Sequence, residues 1–467
     1  MAHDVIVVGG GPAGSTAAAL LARAGHSVLL LERESFPRDH VGESLLPFCY
    51  RLFDDLGVRP EMDRTFARKP GVRFIDPTGE TATTWCFSHV IKTDAYLSYQ
   101  VNRADFDTML LRNARGVGAE VHEQTKVTDF DLSDPDSVTV ESMDSAGADR
   151  VHTARFLIDA SGRDALVAAK NGWRKPRAEL DRTALWSHWE GVTMRGGLEE
   201  GLSIIVYVGE EKKGWIWVFP LSPTRITAGV VLQNSYIRQQ HRKLQEQGVA
   251  DWKSDLVMQE LQCSPFVQSL LGSGATRAMP IMTNGNYSYE VENHFGVNYA
   301  MIGDARGFID PIFSSGVFLA MKTAYLVTDA VRARLAEGKD AGLAKLASAY
   351  ELVTGAYGFV HQMIRMFYNP HAVSWAEVGS GKEIHKAHES AMAAGHFMLS
   401  GDFFESQQRY NDFFRLLGDP TQFRRYKNLV IDRAAFSDTS CHVPRETAFP
   451  MEAAAGGPSG PQPIEMQ

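Results

Sequence analysis

Gly9-Gly10-Gly11-Pro12-Ala13-Gly14 lies between the apolar run Val5–Val8 and a segment rich in Ala and Leu that begins at Pro12. This is a G-x-G-x-x-G in the context that gives the motif its meaning, a buried strand running into a helix. Gly9 permits the tight turn, Gly11 lets the backbone approach a pyrophosphate, and Gly14 lets the helix pack on the strand. Pro12 and Ala13 start a helix whose free N–H groups attract an anion. Working outward, the pattern predicts a strand over 4–9, a helix over 12–25 and a second buried strand over 27–32, a βαβ unit. Glu32 ends that strand eighteen positions after Gly14, where a carboxylate accepts the ribose hydroxyls of an unphosphorylated adenosine.

The chain of 467 residues is long enough to enclose a cofactor, and 44% hydrophobic with 22% charged residues is ordinary for a globular protein. A net charge of −9 without a dense Lys/Arg block excludes a nucleic-acid footprint. Cys49, Cys86, Cys263 and Cys441 lie far apart with no metal-ligand spacing, which predicts four unpaired thiols in a reducing cytoplasm and no metal site. No apolar run is long enough to span a membrane.

Farther along, β-branched alternation and Gly/Pro punctuation from about residue 70 to 235 predict strands at Val138–Ser142, Arg155–Asp159, Ser203–Val208, Gly214–Phe219 and Arg225–Leu232. Another apolar strand covers Val297–Ile302, and Val317–Leu335 has helical spacing. The expected fold is α/β: a Rossmann-like dinucleotide-binding domain, an inserted antiparallel β-sheet substrate region, and a C-terminal helical cap. Dinucleotide-binding parts are assigned to 1–75, 101–175 and 296–338, the substrate region to 76–100 and 176–295, the aromatic-rich cap to 339–445, and a Gly/Pro-rich disordered tail to 446–467.

Three segments in order resemble flavoprotein hydroxylases and their relatives. They are the glycine turn, Asp159-Ala160-Ser161-Gly162, and Gly303-Asp304-Ala305, whose Asp304 matches the carboxylate that holds the ribityl chain. Arg103 matches the arginine this family places beside the flavin. The resemblance implies that the dinucleotide-binding parts form an FAD-binding Rossmann-like domain of the glutathione-reductase type, with Asp159, Gly162, Arg103 and Asp304 at the FAD site.

The chain resembles the flavin-dependent halogenases more closely still. Gly214-Trp215-Ile216-Trp217-Val218-Phe219-Pro220 matches their Gly-Trp-x-Trp-x-x-Pro signature, in which Trp215 and Trp217 would crowd the organic substrate's route to the flavin. Trp215 and Trp217, at i and i+2, also suit the core face of a strand. Phe308-Ile309-Asp310-Pro311-Ile312-Phe313-Ser314-Ser315-Gly316 matches Phe-x-x-Pro-x-x-Ser-x-Gly. This implies that Pro311 covers the flavin and that the N–H groups of Ser315 and Gly316, at a helix start, hold chloride or bromide. Lys69 matches the family's essential lysine; on composition alone, beside Arg64, Arg68 and Arg73, it reads as a solvated surface charge. Val41-Gly42-Glu43-Ser44-Leu45-Leu46-Pro47 resembles the strap touching both sites, which places Ser44 at the cofactor. Phe313 stands where tryptophan halogenases carry a glutamate, which resembles the branch acting on phenols and pyrroles, free or as thioesters on acyl or peptidyl carrier proteins. The implied activity is halogenation of an electron-rich aromatic in natural-product biosynthesis, using O2 and FADH2 from a separate flavin reductase, because no second dinucleotide fingerprint is visible. A monooxygenase or isoprenoid-chain reductase of the same fold, and a flavin-binding scaffold without turnover, remain alternatives.

Overall fold

The computed structural model describes residues 3–209, 214–272, 274–285, 288–378, 395–404 and 440–452, with Tyr410, Phe414, Gly418, Asp419 and Thr421. The strand His3–Val8, buried from Val5 onward, runs into the helix Pro12–Arg23, with Gly11 as the N-terminal cap and Pro12 at the first helical position, where its missing N–H costs nothing. The strand sits centrally in a seven-stranded sheet. It pairs in parallel with Val28–Leu31 on one side and with Asp149–Asp159 on the other, and Tyr299–Met301 also runs parallel to Asp149–Asp159. The predicted strands at Val138–Ser142 and Arg155–Asp159 belong to this sheet, because the hairpin Val138–Asp144/Asp149–Asp159 feeds straight into the parallel pairing.

The second sheet has eight strands, built around Arg182–Glu190, Ile226–Gln233, Gly214–Pro220 and Ser203–Val208 in spatial order. It is antiparallel apart from one pair, Ser203–Val208 with Gly71–Ile75, which is parallel and departs from the purely antiparallel expectation. A two-stranded ribbon, Ala67–Lys69 with Ser98–Gln100, links the two sheets and sets Lys69 directly opposite Ser98. The helix Gly316–Glu337 packs on Pro12–Arg23, and Lys339–Tyr368 packs on that helix in turn. Cap aromatics Tyr357, Phe359, Phe367, Trp375 and Phe403 are buried, whereas Phe413 lies outside the described residues. Among the described residues no helix is long and apolar enough to cross a membrane.

Two expectations are corrected at the C-terminus. Cys86 and Cys441 form a disulfide across 355 positions, leaving Cys49 and Cys263 as the free thiols. Sequence spacing carries no information about a pair that only tertiary packing brings together. The tail predicted from residue 446 is packed through residue 452: Arg445–Ala448 is a helical turn, and Val443, Ala448 and Phe449 bury themselves against Ala67 and Leu97 of the ribbon region. Residues 453–467 lie outside the described residues. Because the bond closes a very long loop, Cys441→Ser is expected to lower the unfolding free energy by about 2–4 kcal/mol. Denaturant titrations with and without a dithiol should show the reduced wild type matching the variant, and midpoints indifferent to both changes would contradict the bond.

Candidate active site

A groove of about 410 Å³ runs past the carboxyl ends of the parallel strands, the place where open α/β sheets bind ligands. Gly9, Gly11, Pro12 and Ala13 line it, with Glu32 toward one end and Trp215 and Trp217 toward the other. Gly9 has φ +103°, and a Cβ there would lie 2.3 Å from the Ala160 carbonyl oxygen. A Cβ at Gly14 would lie 1.9 Å from the Gly9 oxygen, so Gly14 serves packing inside the turn and does not face the groove. At Gly11 the space is open, with nothing nearer than the Arg38 guanidinium at 3.6 Å. This cradle fits a pyrophosphate: bare backbone, a helix N-terminus, and a cation opposite. Arg38 is held by Glu34 at 3.1 Å and Asp107 at 3.4 Å and lies over Phe36. Sequence reasoning passed over it, although it stands three positions ahead of the strap. The Glu32 carboxylate accepts the N–H groups of Gly10 at 2.6 Å and Glu34 at 2.8 Å, which fixes its orientation on the groove.

Arg103 and Asp304 both line the groove, and the arginine's charge acts on the carboxyl. Arg103 is buried, makes a two-pronged ion pair with Asp107 at 2.8 and 2.9 Å, and donates to the Val41 carbonyl of the strap. Burial pushes the Asp304 carboxyl up to about 6, opposed by Arg103 and Arg163. Gly162 lines the groove but Asp159 does not. Its carboxylate is spent on Ser161 and the N–H of Val167, holding the turn that presents Ala160 and Gly162. The resemblance implies Asp159 at the cofactor, and in the structure its carboxylate supports the turn from behind the groove wall.

The strap connects this groove to Lys69. Gly42, Glu43 and Ser44 line the groove, while the carbonyl of the next residue, Leu45, accepts a hydrogen bond from Lys69 Nζ at 3.0 Å. Ser44 bridges to Gln100, and its hydroxyl lies 3.0 Å from that of Ser203. Glu43, which sequence reasoning did not single out, pairs in the interior with His188 at 2.7 Å, and Arg225 lies 3.2 Å from the other ring nitrogen. Lys69 is only 2% exposed, the opposite of a solvated surface charge. Neighbouring Arg68 turns outward to Asp63 and the Leu97 carbonyl, so strand alternation sends Lys69 inward. Its ammonium lies 5.6 Å from the Phe87 ring centroid, and burial lowers its pKa to about 7, with the Cys49 thiol opposing the shift. An amine so poised is available as ammonium and as free base near neutrality.

Trp215 and Trp217 project from one face of Gly214–Pro220 onto the groove, with ring centroids 5.6 Å apart. Gly229 on the next strand makes room for Trp217, whose ring would lie 2.5 Å from a Cβ there. Across from them, Pro311, Ser314 and Gly316 line the groove where the helix Gly316–Glu337 begins. Ser314 takes φ +55°, an uncommon conformation for a side-chain-bearing residue and one that tight functional turns tolerate. Ser315 precedes the helix with its side chain buried and off the groove wall; the first N–H groups of the helix have no acceptor within it. Phe313 also lies off the groove, packed edge-on against Trp375 at 5.5 Å and Phe367 at 6.1 Å.

An FAD binding domain model matches residues 2–345. Over 356 residues the chain is 35% identical to a tryptophan 2-halogenase of Chondromyces crocatus, covering 76% of this chain and 64% of that protein, just under two thirds of its length. It is 31% identical to the flavin-dependent halogenase armH1 of Armillaria mellea, covering 76% of this chain and 71% of that one. The structure of the flavin-dependent brominase Bmp2 superposes with a TM-score of 0.74 at 25% identity, over 92% of this chain and all of that one.

Proposed function

Since the chain belongs to the flavin-dependent halogenases, we propose that it halogenates an electron-rich aromatic substrate, with Lys69 delivering the halogen. The observation that carries this reading is the strap: Val41, Gly42, Glu43 and Ser44 wall the cofactor groove, and the next residue, Leu45, holds the buried amine of Lys69. A reduced flavin held in the groove would reduce O2 to the peroxide level, the two-electron oxidant that chloride or bromide needs. Gly11 and Arg38 would hold the pyrophosphate, Glu32 the adenosine ribose, and Asp304 the ribityl hydroxyls. Trp215 and Trp217 crowd the route by which an aromatic substrate would reach a flavin in the groove, while a monatomic halide passes. The free N–H groups opening the helix at Ser315 and Gly316 attract that halide. Lys69 then receives the oxidised halogen, by hydrogen-bonding it as ammonium or by bonding it as amine, and the Phe87 and strap surroundings keep water away.

Phe313 supports a substrate that needs no carboxylate to take its proton, since an apolar wall contributes area and orientation and no charge. A phenol or pyrrole fits that description, and presentation as a carrier-protein thioester would add binding energy remote from the ring. Reduced flavin would come from a separate reductase. The test is intact-mass analysis of pyrrolyl- and hydroxyphenyl-loaded carrier protein beside the free acids, free phenols and free tryptophan, each with and without bromide. Halogenation of phenol or pyrrole ahead of tryptophan is the expected result. Preferred turnover of tryptophan, as the name of the Chondromyces relative would suggest, would overturn the substrate class, and equal or faster turnover of the free acids would overturn the tether.

A further inference from the structure

Tyr368, the last residue of the 30-residue helix Lys339–Tyr368, joins two walls of the groove through a single hydroxyl. Its oxygen accepts the indole N–H of Trp215 at 2.8 Å and donates to the Asp310 carboxylate at 2.8 Å. A hydroxyl has one proton, so a donor on one side and a carboxylate on the other fix the direction of the chain: indole to tyrosine to carboxylate. The other oxygen of Asp310 accepts the N–H of Ile312 at 3.1 Å and caps the turn leading to Ser314 and Gly316. Asp310 is fully buried, and the Arg182 guanidinium stacks on the Tyr368 ring, 3.6 Å from its centroid. Burial and the adjacent Asp310 charge raise the Tyr368 phenol well above its ordinary value, so it stays protonated and donating.

Three segments distant in sequence thus depend on one group. Trp215 walls the groove from the second sheet, Pro311, Ser314 and Gly316 wall it from the other side, and Tyr368 reaches both from the cap. Without the hydroxyl, a buried indole N–H loses this acceptor and a buried carboxylate loses this donor, and each is then free to rearrange. We propose that Tyr368 is a positioning residue that holds Trp215 and the Pro311–Gly316 turn in register across the groove, and so sets how much of the oxidised halide reaches product. This rests on the halogenase reading for its consequence and on geometry alone for its structural part.

The experiment separates the two. In FAD-loaded protein carrying 15N-indole tryptophan, Trp215→Phe identifies the Trp215 N–H resonance. Tyr368→Phe, which keeps the ring stacked under Arg182, should move that resonance upfield and leave the other indoles in place. Asp310→Asn, isosteric but uncharged, should move it in the same direction by less, and serves as the second variant should Tyr368→Phe not fold. With FADH2, O2, bromide and a phenol, halogenated product per O2 consumed should fall about fivefold in Tyr368→Phe, the scale of one hydrogen bond, with FAD affinity unchanged. Tyr368→Phe should cost less when added to Trp215→Phe than it does in the wild type, because the Trp215 link is then already broken and only the Asp310 link remains to be lost. An unmoved Trp215 resonance, unchanged product per O2, or losses that multiply in the double variant would overturn the proposal. Absence of halogenated product from the wild type would overturn the halogenase reading, while the resonance shift still decides the hydrogen bond.

Discussion

Lys69→Met is expected to leave FAD bound and to reduce halogenated product by at least about a hundredfold, the scale on which loss of one preorganised polar group in a dry site acts. Methionine keeps the apolar stem that packs near Phe87 and removes only the amine, so the loss reports chemistry and not a cavity. The same substitution carries a stability signature. Burial lowers Lys69 from its ordinary 10.5 to about 7 in the folded protein. Between those values the unfolded chain binds more protons than the native one, so wild-type stability rises with pH across the window, by up to about 1.4 kcal/mol per pH unit. Below pH 7 the folded protein holds a buried ammonium whose nearest partners are the Leu45 carbonyl and the Phe87 ring. Lys69→Met should therefore be more stable than wild type there, with the difference closing as pH nears 10. Denaturant titrations at both ends of the window measure this, and a pH-independent difference would mean that Lys69 titrates as an exposed lysine. Full halogenating activity in Lys69→Met would remove it from the mechanism.

Gly11→Ala and Gly14→Ala should fail in different ways. A Cβ at Gly14 meets the Gly9 backbone oxygen at 1.9 Å, closer than any contact the turn can absorb by rotating a side chain, so the variant is expected to lose FAD together with several kcal/mol of stability. A Cβ at Gly11 meets only Arg38 at 3.6 Å, and the backbone there is extended with φ −68°. The fold should survive, with a stability change under about 1 kcal/mol. FAD affinity should nevertheless fall at least about tenfold, because the methyl group fills the face that the pyrophosphate approaches. Fluorescence titration of FAD beside thermal unfolding distinguishes the two. Wild-type affinity in Gly11→Ala would show that the cofactor does not pass over this turn.

The parts of the fold legible in sequence are those whose cause is local. The glycine turn, Glu32 and the helix at Gly316 announce themselves because tight turns, strand ends and helix starts are set by neighbouring residues. The W-x-W face follows from strand alternation. Lys69 misleads on composition, since its neighbours Arg68 and Arg73 look like a solvated patch. Alternation along Ala67–Lys69 sends the lysine inward, and Arg68 and Arg73 find carboxylate and carbonyl partners near the surface. The links illegible in sequence join residues that only packing brings together: Trp215 to Tyr368 across 153 positions, Glu43 to His188 across 145, and Cys86 to Cys441 across 355. Nothing in the identity of a lone Tyr, His or Cys names its partner. Asp159 shows the reverse limit, because a motif located the right turn but not which of its atoms face the groove.

Oxidation of halide at the groove and its delivery by Lys69 make product formation depend on halide, and one measurement addresses this most directly. The FAD-loaded protein is given FADH2, O2 and a simple phenol, with bromide present or omitted, and the product is weighed by mass spectrometry. Bromine in the product when bromide is present, and no product when it is omitted, is the predicted result. An oxygenated phenol formed equally well without bromide would contradict the account and assign the groove to a monooxygenase.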